Sequence, residues 1–153
     1  MVTATRKGRV VEVVDEFGDA GNVEFTTQKN SILLEHEDGT LARYKGFTKG
    51  TLKVKTGETV YPGEPLGLNT TFGKSGFAIS LHIFYLSSAD FASVKGRNLS
   101  NQKSLYSTVA PRFTVDGKAA IVLENRKTYN AFSSEEFITK EMSKREIKKF
   151  KSK

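Results

Sequence analysis

The chain contains no cysteine. Disulfides, thiolate metal ligands and a cysteine nucleophile are excluded together. It has only two histidines, His36 and His82, so a zinc centre would have to recruit carboxylates as well. No apolar run approaches the roughly 18 residues that a membrane-spanning helix requires. The opening residues, MVTATRKGR, are polar and basic and lack the apolar stretch of a signal peptide.

What is present suits a folded domain. The 153 residues are 37% hydrophobic and 27% charged, enough to bury a core and too apolar for a disordered chain. The net charge of +7 is unevenly placed. Residues 140–153 (KEMSKREIKKFKSK) carry seven Lys or Arg against two Glu, which is five of the seven net positive charges. The basic character therefore belongs mostly to the C-terminal segment. It suits either a solvated helix or contact with an anionic surface such as cell wall, lipid headgroups or nucleic acid. Aromatics interleaved with basic residues would suggest single-stranded nucleic acid, but the basic residues lie mainly in the tail, so no specific nucleic-acid face is expected.

Short alternating segments separated by turn residues predict an all-β fold. Val10, Val11, Val13 and Val14 form a β-branched run after Gly8. Residues 15–30 are rich in Gly, Asp and Asn and read as a long turn. Residues 31–36 and 41–47 read as a hairpin around Glu37-Asp38-Gly39. Residues 51–55, 59–61 and 66–69 read as short strands, with Pro62-Gly63 a strong turn between them. Residues 77–86 (FAISLHIFYL) are nearly all apolar and predict a strand buried on both faces. Residues 89–108 read as polar and irregular, and a further hairpin is expected around Asp116-Gly117. Ser133 and Glu136 stand at capping-box spacing and predict a helix running through Ile147. Phe137, Ile138, Met142 and Ile147 give that helix only a rough apolar face.

Residues 52–86 carry the most specific pattern. A Val54-x-x-Gly57-x-x-Val60-x-x-Gly63-x-x-Leu66-Gly67 run leads through a Gly-rich loop into Ser80-Leu81-His82-Ile83-Phe84. This resembles the second half of a lysostaphin-type zinc endopeptidase domain, the family that cuts peptide cross-links in bacterial cell walls. Residues 2–11 resemble that family's passage through a Gly into a Val-rich strand. Residues 30–44 (NSILLEHEDGTLARY) resemble its central hairpin with a His-x-Asp-Gly turn. The likeness covers residues 1–86, and residues 109–129 resemble a hairpin attached to some bacterial members.

The resemblance implies an all-β fold, a small β-sandwich with Gly-cornered antiparallel strands, plus a short C-terminal helix. It implies one β domain over residues 1–132, with its core in 1–88 and an extra hairpin region at 109–130, followed by a basic helix or tail at 133–153. Active members take zinc through a His and an Asp on an early strand and the second His of His-x-His. Here the early pair has no counterpart, the first His of His-x-His is Ser80, and only His82 stands at a ligand position. The family's other catalytic His, in a Tyr-x-His-Leu pattern, corresponds to Gly46 in Tyr44-Lys45-Gly46-Phe47. One His cannot hold a catalytic zinc, which needs about three protein ligands. Ser80 does not titrate near neutrality and cannot replace a His in acid–base chemistry.

The resemblance thus implies a non-catalytic relative of a bacterial cell-envelope peptidase, periplasmic or extracellular. It would bind peptidoglycan peptide, or regulate a cell-wall hydrolase, without a tightly bound cofactor. Its groove would be lined by Tyr44, Gly46, Ser80 and Phe84, with His82 a remnant zinc ligand. The alternative is a zinc endopeptidase whose metal-binding strand lies outside this chain. Structural readings stand beside these. Core packing is the commoner fate of Tyr44 and Phe84, and a hydrogen-bonded, partly buried role the commoner one for His82. His36 reads as structural or exposed. His36, Glu37 and Asp38 alternate faces and do not converge on a metal. Residues 73–76 (GKSG) lack the spacing and helix of a phosphate loop. The Val-x-x-Gly pattern also occurs in biotinyl and lipoyl carriers, but Lys74 lacks the Met or Asp neighbour of a carrier lysine.

Overall fold

The computed structural model describes residues 1–18, 28–71, 76–86, 106–115, 118–130 and 132–152. Its strands in chain order are β1 (Val2–Thr3), β2 (Gly8–Val14), β3 (Asn30–Glu35), β4 (Leu41–Phe47), β5 (Thr59–Val60), β6 (Pro65–Gly67), β7 (Ser80–Leu86), β8 (Tyr106–Val109), β9 (Phe113–Val115) and β10 (Lys118–Ile121). Two short helices follow, α1 (Glu135–Thr139) and α2 (Lys144–Lys151). The fold is all-β with a short C-terminal helical segment. Six strands form one antiparallel sheet in the order β5-β2-β3-β4-β7-β8, while β1 pairs with β6 and β9 with β10.

The β3–β4 hairpin turns where the sequence predicts. The Gly39 amide donates to the His36 carbonyl at 3.0 Å, with Gly39 at φ 80°, a conformation that favours glycine. Asp38 accepts from both the Thr40 amide and its hydroxyl, at 3.0 and 2.7 Å. In β2 the register slips between Val10 and Glu12. The bulge lets Val10 face Leu34 and Val13 face Ile32, while Glu12 turns to the opposite side beside Leu33. One extra residue therefore keeps two valines in the core and puts a carboxylate on the outer face.

The Val54-to-Gly67 corner is built from two copies of one device. Lys55-Thr56-Gly57-Glu58 and Tyr61-Pro62-Gly63-Glu64 each close a turn, with Glu58 N to Lys55 O at 3.1 Å and Glu64 N to Tyr61 O at 3.0 Å. In each, the Glu carboxylate returns to the first residue's amide, at 2.9 Å for Lys55 and 3.0 Å for Tyr61. Gly57 and Gly63 sit at φ 95° and 85°, the third-position geometry of a type II turn. The six-residue repeat brings Val54, Val60 and Leu66 to the same buried side.

That side is the core. Val10, Ile32, Leu34, Ala42, Tyr44, Phe47, Val60 and Leu66 are nearly inaccessible and form one cluster with Ala4 and Val54. Each large side chain of this set contributes about 1.5–3 kcal/mol by leaving water. The buried Asn30 is satisfied: it accepts from the Phe17 amide at 2.8 Å and donates to the Phe17 and Phe47 carbonyls. The cluster covers only the inner face of the six-stranded sheet.

Four expectations change. β7 is not buried on both faces, because His82 and Leu86 on its outer side are exposed; among the described residues no second layer covers that side. Residues 51–55 run beside β6 without forming a strand, bonding through Lys53 N to Leu66 O at 3.0 Å. Residues 106–109, read as irregular, form β8 against β7. The single helix is two: Ser134 caps α1, and the capping box belongs to Ser143 and Glu146 at the start of α2. The break at residues 140–143 lets Met142 drop into a buried position. Residues 19–27 of the long turn, most of 89–108, Asp116-Gly117 and residues 73–75 with Lys74 lie outside the described residues.

Candidate functional site

Register decides which residues meet on the open face of the sheet. Across β4 and β7 the partners are Leu41 with Phe84, Arg43 with His82, and Lys45 with Ser80. Side chains alternate along each strand. Phe84, His82 and Ser80 therefore stand in a row beside Leu41, Arg43 and Lys45. Tyr44 and Ala42 point the other way, opposite Leu81 and Ile83.

The four positions assigned to a groove divide accordingly. Ser80 and Phe84 share the outer face with His82. Tyr44 instead belongs to the core. Its phenol meets the Thr5 amide at 3.0 Å and the Thr5 hydroxyl at 2.7 Å. Burial pushes its pKa up, and the bonds to Thr5 pull partly the other way. Gly46 is buried at φ 106° and its carbonyl accepts from the Thr70 amide at 2.8 Å. It supports the start of the Gly-rich loop and offers no side chain.

The outer face is cationic and has an aromatic margin. Arg43 Nη2 reaches the Glu12 carboxylate at 3.4 Å. Its Nε is buried without a hydrogen-bond acceptor, a state that native structures rarely tolerate. Lys29, just before β3, has its pKa lowered by burial and then by the charge of Lys45. Two like charges are thus held close together at the Ser80 end. At the other end Phe84 packs edge-on against Tyr106, with ring centroids 5.5 Å apart.

Zinc does not fit these residues. Among the described residues no three His, Cys, Asp or Glu side chains gather as a metal would need. The carboxylates of this face do not gather at His82: Glu12 lies three strands away, about 14 Å at ordinary strand spacing, and already meets Arg43, while Glu35 stands two strands away beside Leu41. His36 is buried, and its Nδ1–H donates to the Lys7 carbonyl at 2.7 Å. Its ring packs where a Gly8 side chain would stand: a Cβ there would meet Nδ1 at 3.0 Å.

A second polar cluster, which the sequence reading did not find, ties the helices to the β domain. Arg6 bonds Asp38 at the hairpin tip, at 2.6 Å, and Glu141 at 2.5 Å. Glu146 accepts from the Tyr61 hydroxyl at 2.6 Å and pairs with Lys7 at 3.1 Å. The Tyr61 bond, then the bonds from Ser143, hold Glu146 down at about 2. The same bond pushes Tyr61 up to about 12. Thr40, then Arg6, hold the Asp38 carboxyl well below the usual range. A cleft of about 380 Å³ lies alongside, lined by Lys7, Gly8, Arg9, His36, Thr59 and Glu141 among others. The Ser-x-x-Glu spacing of Ser143 and Glu146 was the one local signal of where the second helix begins.

Comparison of the chain with family models, with curated proteins and with solved structures finds no match. Among the described residues no helix is long and apolar enough to cross a membrane.

Proposed function

We propose that this chain is a lysostaphin-like domain that keeps the scaffold without the zinc chemistry, and that it binds an acidic cell-wall peptide on the open face of the six-stranded sheet. The observation that carries the reading is the row formed by Arg43 and Lys45 beside His82 and Ser80. Peptidoglycan stem peptides carry free carboxylates, and the Arg43 guanidinium in one row with Lys45 offers cations to one. Phe84 and Tyr106 supply an apolar edge for the peptide's side chains. The site lies in the bacterial cell envelope under this reading, and a cell-wall hydrolase is the natural neighbour of a domain that holds its substrate.

The test is an NMR titration with a soluble muropeptide. Amide shifts confined to β4, β7 and β8, lost in an Arg43→Ala/Lys45→Ala variant and indifferent to chelator, are expected. Calorimetric zinc titration near pH 7.5 should give at most weak binding, unchanged by His82→Ala. Tight one-to-one zinc binding that His82→Ala abolishes, with chelator-sensitive hydrolysis of wall peptide, would overturn the reading and restore the endopeptidase.

A further inference from the structure

We infer that the helical segment from Ser134 to Lys151 is a strap that opens as a unit and gates access to His36, a device separate from the peptide site. Helices α1 and α2 bury no side chain. Met142, between them, is the one buried residue of the segment. What fastens the segment to the β domain is polar. Glu141 meets Arg6 Nε at 2.5 Å and the Lys7 amide at 3.3 Å. Glu146 meets the Tyr61 hydroxyl at 2.6 Å and Lys7 Nζ at 3.1 Å. The side chains of these two ion pairs are between 21% and 35% exposed, so water and salt reach them. A segment with little apolar burial and solvated bonds opens ahead of the core it rests on. The Lys151–Glu135 pair at 2.5 Å joins the end of α2 to the start of α1, so the two helices lift together.

Lys7 couples the strap to the imidazole. Its amide donates to Glu141, and its carbonyl accepts from His36 Nδ1 at 2.7 Å. That bond keeps the proton of the neutral ring on Nδ1 and makes Nε2 the bare nitrogen. His36 is only 3% exposed. Its Nε2 has no partner among the described residues, yet it is not sealed from solvent as Arg43 Nε is. Glu141 and His36 line the same cleft of about 380 Å³. The strap is therefore one wall of the cleft that His36 borders. Lifting it removes that wall and releases the Lys7 backbone that holds the ring.

Carbethoxylation by diethyl pyrocarbonate, read at each histidine by peptide mass, tests the gate. The exposed His82 is the internal standard. At low salt His36 should react far more slowly than His82. Glu141→Gln/Glu146→Gln removes both strap charges at unchanged shape, and glutamine still completes a capping box. Losing two partly exposed ion pairs should raise the open population about tenfold. The His36 rate should rise with it while the His82 rate stays the same. High sodium chloride should accelerate His36 in the natural chain and have little effect in the variant. Hydrogen exchange follows the fold: α2 amides should lose protection about tenfold in the variant, and β3 and β4 amides should keep theirs. A His36 rate that equals that of His82 at low salt, or that ignores both salt and the variant, would overturn the inference. So would faster His36 labelling with an equal loss of protection in β3 and β4, which would mean that the domain opens as a whole.

Discussion

The hydroxyl of Tyr61 donates a 2.6 Å hydrogen bond to the carboxylate of Glu146, 85 residues away in the chain. Tyr61 opens the second Gly turn of the corner, and Glu146 closes the capping box of α2. One carboxylate thus serves its own helix and fastens that helix to the β domain.

This bond makes docking of α2 pH-dependent at both ends. Glu146 is held at about 2 in the folded chain, below its ordinary value of about 4.3. Its contribution is complete above that value and is lost as pH falls toward 2. Tyr61 is raised to about 12, so its contribution is complete below about 10 and is lost as pH rises from 10 to 12. Hydrogen exchange of the α2 amides should show protection falling at both limits. Tyr61→Phe should cost about 1.5 kcal/mol of docking. It should abolish the alkaline limb, while the acid limb survives through Lys7 and Ser143.

Tyr44→Phe removes the two contacts with Thr5 without opening a cavity. Denaturant unfolding should show a loss of about 1 kcal/mol with an unchanged slope. Tyr44→Ala should cost about 3–5 kcal/mol, because the ring fills the core.

Gly67→Ala should destabilise through crowding. An added Cβ would lie 2.9 Å from Phe47 Cδ1 and 3.1 Å from Leu52 Cδ2. Both neighbours are packed, so the thermal midpoint should fall by the equivalent of about 1–3 kcal/mol. Gly18→Ala, where nothing lies within 4 Å, is the control and should leave the midpoint unchanged.

Arg43→Lys separates stability from recognition. Lysine removes the buried Nε donor that meets no acceptor, so stability should hold or rise by up to about 1 kcal/mol. The forked guanidinium is lost as well, so muropeptide affinity should fall about tenfold. Unfolding and titration of the same variant give both readings. A variant that unfolds more easily would show that Arg43 serves the sheet alone.

Local signals were enough for much of the fold. The β-branched run at Val10 to Val14, the Asp38-Gly39 turn and the glycine turns that separate Val54, Val60 and Leu66 act over a few residues, and each gave its element correctly. Failures came where a partner far along the chain decides. The run at 77–86 reads as doubly buried, yet His82 and Leu86 are exposed on one side, which no layer of described residues covers. Residues 106–109 carry no strong pattern and became a strand by pairing with β7. Ser133 and Ser143 both precede a glutamate by three residues. Only Ser143 forms the box, because α1 starts one residue later than expected: Ser134 is its cap, and three residues on stands Phe137, not a glutamate.

The sequence by itself determined an all-β chain with glycine corners, no thiol chemistry and a basic C-terminal segment, since these follow from composition and short periodicity. Only the tertiary structure decided that Tyr44 belongs to the core while Ser80, His82 and Phe84 share a face with Arg43 and Lys45, because strand register sets sidedness. It alone decided that the two acids of the last fourteen residues turn inward against Arg6, Lys7 and Tyr61. Those partners are more than eighty residues away, a distance over which no local pattern reports.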